Sequence, residues 1–458
     1  MAHVVQLTNT RLVDGDQLIA QSLWFDSIKG IFVSHPQHAP ASTVDCQNRI
    51  VAPGFLDLQI NGAYGFDFSE DVARLSEADH DWHDELLADN DQPAAREVPS
   101  GMQAMPISFA MNREKEESKA VAGSDYSPQN LPYLGPSRSR RPSEGTESLG
   151  AHCEGPFFAH NRMGVHLPAA IHASGSTSEP DRVFQTYGSS NLVDAESKER
   201  DAGSIPSHVR MITLAPERPG ALDTIRQLSD EGIVMSIGHM AADYQQARAG
   251  VDAGATMVTH LYNQMNSHHH REPGPLGVLT DTDAGPEMRI LGQGTEDGGV
   301  KRRPYFGIIA DGSHVHPASL RLAYQAHPDG LVLVTDALLP LGGEDGTVDW
   351  GSRQLTKQGV SVKLEGTDTI AGSCVTLLEC VNNFRRWTGA SIPTAMRAVT
   401  STPAAVLGLE HVKGTFQAGA DADFVVLSEE AVPGLSSSEL VVDQVWKFGV
   451  KVYDRCDV

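Results

Sequence analysis

The chain has 458 residues, 40% of them hydrophobic and 21% charged, a composition that suits a soluble globular protein with room for one large α/β domain and a smaller one. Lys+Arg of 35 against Asp+Glu of 59 gives a net charge of −24, which argues against a general nucleic-acid or anionic-membrane surface, so an anionic substrate would need a local cationic pocket. The five cysteines, Cys46, Cys153, Cys374, Cys380 and Cys456, are odd in number and form no CxxC pair, which fits reduced thiols in the cytoplasm; the N-terminus carries no secretory pattern, and no apolar run approaches the roughly 18 residues of a membrane span.

Residues 1 to 51 alternate short β-like runs (VVQLTNTRLV, SLWFDSI, GIFVS) with turn residues and are expected to form a small antiparallel sheet. VAPGFLDLQINGAYGFDFS, residues 51 to 69, then reads as a buried strand from Phe55 to Ile60 followed by a glycine-rich loop. Asp57, Gln59 and Asn61 alternate along it and should face one way. Residues 70 to 92 are acidic and expected to be helical. From 93 to 148 Pro, Ser, Arg and Gly dominate, and no convincing strand is found where a barrel requires its second.

Order resumes at LGAHCEGPFFAHNRMGVHLPAAI, residues 149 to 171; 174 to 208 is a polar excursion, and VRMITLAPE at 209 to 217 is a strand ending in a carboxylate. The runs IVMSI and ATMVT precede His239 and His260, and between them DYQQARAGVDAG is helical in composition and stops at Gly254, so one imidazole follows each of two strands. PYFGIIADGSHVH at 304 to 316 and GLVLVTDALLP at 330 to 340 are two more strand-to-loop units. From about 405 short β-runs return (ADFVVLS, VVDQVWKFGVKVYD) and are expected to join the N-terminal sheet.

The polar strand tips in chain order are Glu154, His239, His260 and Asp336. In a parallel α/β barrel strand C-termini share one mouth, so these groups can converge. Two imidazoles and a carboxylate are the ligands of an open catalytic zinc site, and a further carboxylate, for which Asp336 is suited, can carry the proton of the attacking water. On the residues alone the bland readings stand beside these: histidines near strand ends by chance, Asp336 as a helix N-cap, Glu154 paired to His152.

The motifs PGFLDLQINGAYGFDFS, GAHCEGPFFAHNRMGVH, TLAPE, SIGHMA, THLYNQMNSHHHREPGPLG, IADGSHVHP, LVTDA, IAGS and KGTFQAGADADFVVL span residues 51 to 427. In kind and order they resemble the N-acetylglucosamine-6-phosphate deacetylase family of the amidohydrolase superfamily. The resemblance implies an α/β fold, a TIM-like (β/α)8 barrel over 52–404 with a small β-sandwich domain formed by both chain ends, 1–51 and 405–458. It implies hydrolysis of the acetamide of N-acetylglucosamine 6-phosphate with one divalent ion per subunit, zinc being the ion expected, and a cytoplasmic homodimer acting on a small molecule, with no nucleic-acid or membrane partner.

Position by position, Glu154, His239 and His260 resemble the family's metal ligands and Asp336 its catalytic acid/base. Val165 and His166 match the segment beside the acetamide; Asn263, Gln264 (through its backbone N–H), Arg271, Asp311 and His314 match the sugar-phosphate contacts, and Ile370, Ala371 and Gly372 the loop that lines the sugar. The run His268 to His270 reads as a solvated loop. Two departures are visible. Gln59 and Asn61 stand where many amidohydrolases carry His-x-His, which makes a second metal unexpected, because amides are poor ligands. SGMQAMPISFAMNREKEESKAV, within 93 to 130, lacks the family's Gly-Val-Thr and Pro-Thr strand and reads as a local replacement. The alternatives are an amidohydrolase of another amide, and a catalytically impaired barrel serving as a binding protein.

Overall fold

The computed structural model describes residues 3–36, 39–67, 102–110, 131, 146–166, 179–192, 207–280, 303–434 and 438–457. The helix expected over 70–92 lies outside them, as does most of 111–145. Eight strands form one parallel sheet in strict chain order: Phe55–Leu56, Met102–Ala110, Glu147–Glu154, Val209–Leu214, Val234–Ile237, Met257–Val258, Tyr305–Ile309 and Leu331–Val334. All six residues of Val209–Leu214, Arg210 and Thr213 included, and all four of Leu331–Val334 are buried, as expected of strands covered on both faces. The sheet curls, and the segments beyond its first and last strands meet: Ile60 and Ala337 form a parallel bridge, and the Asp336 N–H donates to Gln59 O at 2.8 Å.

Helices between the strands bury one stripe each. Ala221–Asp230 buries Ala221, Thr224, Ile225 and Leu228, the spacing of one helical face. Tyr244–Ala253 opens on a capping box between Asp243 and Gln246 and ends at Gly254, as its composition implies.

One expectation is overturned. Met102–Ala110, inside the stretch read as strandless, is the second strand of the sheet, parallel to both Phe55–Leu56 and Glu147–Glu154. Its sequence MQAMPISFA hides the strand, because Pro106 is expected only at edges or bulges and the run has a single β-branched residue. The structure accommodates Pro106 opposite Gly150, just where the register with the third strand slips between Ser148 and Gly150.

A second eight-stranded sheet draws on both chain ends. Its central strand Ser42–Pro53 pairs with Val4–Asp14 on one side and Phe424–Ala431 on the other. The first pairing is parallel, so the N-terminal sheet is mixed rather than antiparallel; the short strands Gln17–Ala20, Leu23–Asp26 and Ile31–Phe32 lie on the crossover that a parallel pair requires. Alternate residues serve two cores. Val51, Phe424 and Val426 join a cluster with Phe25 and Phe32, while Ile50, Ala52, Val425 and Leu427 face the core of the large sheet. Between the sheets Lys413 and Lys447 each contact Glu147, on the third parallel strand, and Asp423, with N–O distances of 2.5 to 2.8 Å. Asp421 is 2.9 Å from Lys413.

A four-stranded antiparallel sheet, Gly346–Trp350, Arg353–Gln358, Ser361–Leu364 and Ile370–Ser373, follows the eighth parallel strand. Ser373 bridges to Ala337, which attaches this small sheet where the first and eighth strands of the large one meet.

Candidate active site

Glu154 is the last residue of the third parallel strand, and His239, His260 and Asp336 each stand two residues past the end of the fifth, sixth and eighth. All three of the latter have positive φ, 48°, 27° and 47°, a costly backbone state for side-chain-bearing residues that turns them over the sheet's C-terminal edge. No helix begins at Asp336, so it is not an N-cap.

Glu154 Oε1 lies 3.2 Å from His239 Nε2 and 2.8 Å from His260 Nε2, and the two Nε2 atoms are 3.1 Å apart. Three buried donor atoms thus form a near-equilateral triangle. Ligands about 2.0–2.1 Å from one ion in a tetrahedron stand ~3.3 Å apart, so the residues fit a divalent cation. The donor set fits as well: Arg162 O can only accept, so His239 Nδ1, at 2.7 Å, must donate to it and leave Nε2 as the ligand nitrogen. Phe158 stacks on the His239 ring at 4.0 Å and 17°. The His152 ring feels the Glu154 charge but has its own hydrogen bonds. It donates from Nδ1 to Leu58 O and its Nε2 accepts from Thr213 Oγ1.

The amides that replace His-x-His hold the carboxylates. Gln59 Nε2 donates to Glu154 Oε2 at 3.0 Å and to Asp336 Oδ1 at 3.2 Å, and Asn61 Nδ2 donates to Asp336 Oδ1 at 2.8 Å. Burial and then the negative charge of Glu154 push the Asp336 carboxyl above the usual range, against the pull of His260, His314 and Asn61. Burial would raise Glu154 too, but His260 and His239 hold it well below the ordinary value. His166 is pushed down to about 3 by burial and by His239, so near neutral pH it is an uncharged imidazole.

A cavity of about 390 Å³ opens over these groups. Val165, His166, Asn263, Gln264, His314, Ile370 and Ala371 line it together with Glu154, His239, His260 and Asp336. Asp311 is not on the wall but behind it: its carboxylate is 2.7 Å from His314 Nδ1 and fixes that ring. Gly372 also stands behind, where a Cβ would come within 2.8 Å of Asp336 O. The run His268 to His270 is exposed, as read from its composition. Arg271 is exposed beside it, its Nε donating to His270 Nε2, and is not on the cavity wall. The sequence reading missed Trp350 and Arg353, which reach the cavity from the four-stranded sheet; the only signal was a cation in an acidic chain.

The chain is 34% identical to the N-acetylglucosamine-6-phosphate deacetylase of Danio rerio over 97% of this chain and 98% of that protein. It is 35% identical to the deacetylase of the same description from Homo sapiens over 93% and 92%. Among solved structures, a mutant N-acetyl-D-glucosamine-6-phosphate deacetylase from Mycobacterium smegmatis, in complex with N-acetyl-D-glucosamine-6-phosphate, matches with a TM-score of 0.71 at 27% identity over 98% of this chain and 99% of that one. The profile of the Amidohydrolase family matches residues 353–453.

Proposed function

The chain belongs to the N-acetylglucosamine-6-phosphate deacetylase family of amidohydrolases, and from that premise we propose how its own residues carry the reaction. The activity is removal of the acetyl group of N-acetyl-D-glucosamine 6-phosphate, giving D-glucosamine 6-phosphate and acetate. Glu154, His239 and His260 hold one divalent ion, zinc by preference for two imidazoles and a carboxylate. Such an ion, when bound, polarises the acetyl carbonyl and brings the pKa of water toward about 7.

Asp336 accepts the proton of the attacking water and passes it to the departing amine, its carboxylate fixed by Asn61 and Gln59. His166, uncharged and packed at right angles to His239, donates to the carbonyl oxygen as negative charge builds on it. His314, Asn263 and Gln264 hold the sugar, against the wall made by Ile370 and Ala371. Because the neutral amides of Gln59 and Asn61, poor metal ligands, stand in place of His-x-His and steady the two carboxylates, we assign a single ion rather than a pair.

The convergence of Glu154, His239 and His260 beneath the cavity that Asp336 lines carries this reading. The curled sheet corresponds to a closed (β/α)8 barrel over 52–404, and the sheet shared by 1–51 and 405–458 to the β-sandwich domain; the meeting of Ile60 with Ala337 and the pairing of both chain ends support these assignments. Among the described residues no helix is long and apolar enough to cross a membrane. Cytoplasmic location, a homodimer and a phosphate contact from Arg271 rest on the family resemblance. The test is acetate release from N-acetylglucosamine 6-phosphate, with added zinc and the unphosphorylated sugar as control. Release confined to the phosphorylated sugar is expected, and equal release from both would refute the substrate.

A further inference from the structure

Past the fourth parallel strand stands Glu217, the carboxylate of TLAPE, which belongs neither to the ligand triangle nor to the cavity wall. Its Oε1 accepts from the Ala241 N–H at 2.6 Å. From the other side Asn266 Nδ2 donates to Ala241 O at 2.7 Å and to Ala242 O at 3.2 Å. Ala241 is therefore held at its N–H and at its C=O by side chains from two different loops. Asn266 Oδ1 in turn accepts from Arg162 Nη2 at 2.6 Å, and Arg162 O is the acceptor that fixes His239 Nδ1.

Residues 239–242 belong to no strand or helix, so their backbone groups must find partners elsewhere. Ala159 N–H donates to His239 O at 2.9 Å and Met240 N–H to Gln264 O at 3.0 Å. Loops that follow the third, fourth and sixth strands thus converge on the segment that follows the fifth. His239 itself has a φ of 48°, a costly state that persists only where its surroundings over-determine it. We propose that Glu217 and Asn266 are positioning residues: by gripping Ala241 from two sides they keep His239 Nε2 at its corner of the triangle with Glu154 and His260. The role rests on the metal site assigned above. An ion that meets a preformed corner loses no binding energy to ordering a loop.

The test compares full-length wild type, E217Q, E217A and N266A, with melting temperature as the check on folding. Zinc affinity, measured by competition with a chelating dye, should weaken roughly tenfold to a hundredfold in E217A and in N266A, the usual scale for groups that hold a metal ligand. E217Q should stay near wild type, because its amide oxygen can still accept from Ala241 N–H. The visible spectrum of the cobalt-loaded alanine variants should differ from that of wild type, while KM for the sugar phosphate at saturating metal is unchanged. Wild-type zinc affinity in both alanine variants, or a loss in E217Q as large as in E217A, would overturn the proposal. Should E217A fail to fold, N266A decides, since it releases the same residue from the other side. Wild type that binds no zinc would sink the metal site itself. Hydrogen exchange of the metal-free proteins across 239–242 would still judge the grip: faster exchange in the alanine variants supports it, and unchanged exchange overturns it.

Discussion

Asp336 and Glu154 are both buried carboxylates tied to Gln59, yet the structure gives them different tasks, and single substitutions should separate them. Asp336→Asn keeps the shape and the bond-forming oxygen but cannot take a proton; kcat should fall by roughly 10²–10⁴-fold while metal analysis shows wild-type content. Glu154→Ala removes one corner of the triangle, and the purified protein should lose its metal along with its turnover. Gly372→Ala should lower kcat without removing any polar side chain, because the new Cβ would press on Asp336 O and displace the backbone that aims the carboxylate. The triangle was legible in the sequence because one histidine per βα unit leaves a periodic trace. Arg353 was not, since nothing in GSRQL distinguishes a cavity wall from a solvated hairpin.

Elements were legible where their side chains declare a period and hidden where the neighbours do the work. The strand Leu331–Val334 announces itself by an unbroken apolar run; Met102–Ala110 does not, and its place in the sheet follows from backbone pairing on both sides and from a register slip that suits Pro106. The four-stranded sheet after the eighth parallel strand also escaped the sequence reading, because Gly346–Trp350 is mostly exposed and buries only Trp350 fully. The helix Leu377–Thr388 illustrates the readable kind, with Thr376 and Glu379 forming a reciprocal cap and Gly389 closing it in the left-handed region. Its Asn383 side chain donates to Ala310 O at 2.8 Å, so the helix braces the loop that carries His314. Thr376→Ala should cost about 1 kcal/mol in chemical denaturation, with kcat preserved.

At the scale of the whole molecule, the cluster of Glu147, Asp423, Lys413 and Lys447 joins the large sheet to the one built by the chain ends. Burial alone would raise both carboxyls, but the two ammonium groups outweigh it and hold Asp423 and Glu147 below their ordinary values. A depressed carboxyl contributes stability that is complete above its unfolded pKa of about 4 and is lost as pH falls through the folded value. Lys413 is raised, burial being outweighed by Asp423 and Glu147, so its share is complete below about 10.4 and is lost only as pH climbs beyond that. Thermal melts should therefore be insensitive to these groups from about pH 5 to 10 and fall on the acid side; in Lys447→Met, which strands buried carboxylates, stability at neutral pH should drop by about 3–5 kcal/mol. Nothing in the spacing of Glu147, Asp423 and the lysines reveals their meeting, because Glu147 lies hundreds of residues before the other three. The same long reach governs how the protein is made. Ser42–Pro53 is flanked by Phe424–Ala431 only after nearly the whole polypeptide has left the ribosome. At roughly 5–20 residues per second, one edge of that nascent strand stays unpaired for on the order of tens of seconds, an interval in which chaperones, rather than the fold, must keep it from pairing with a stranger.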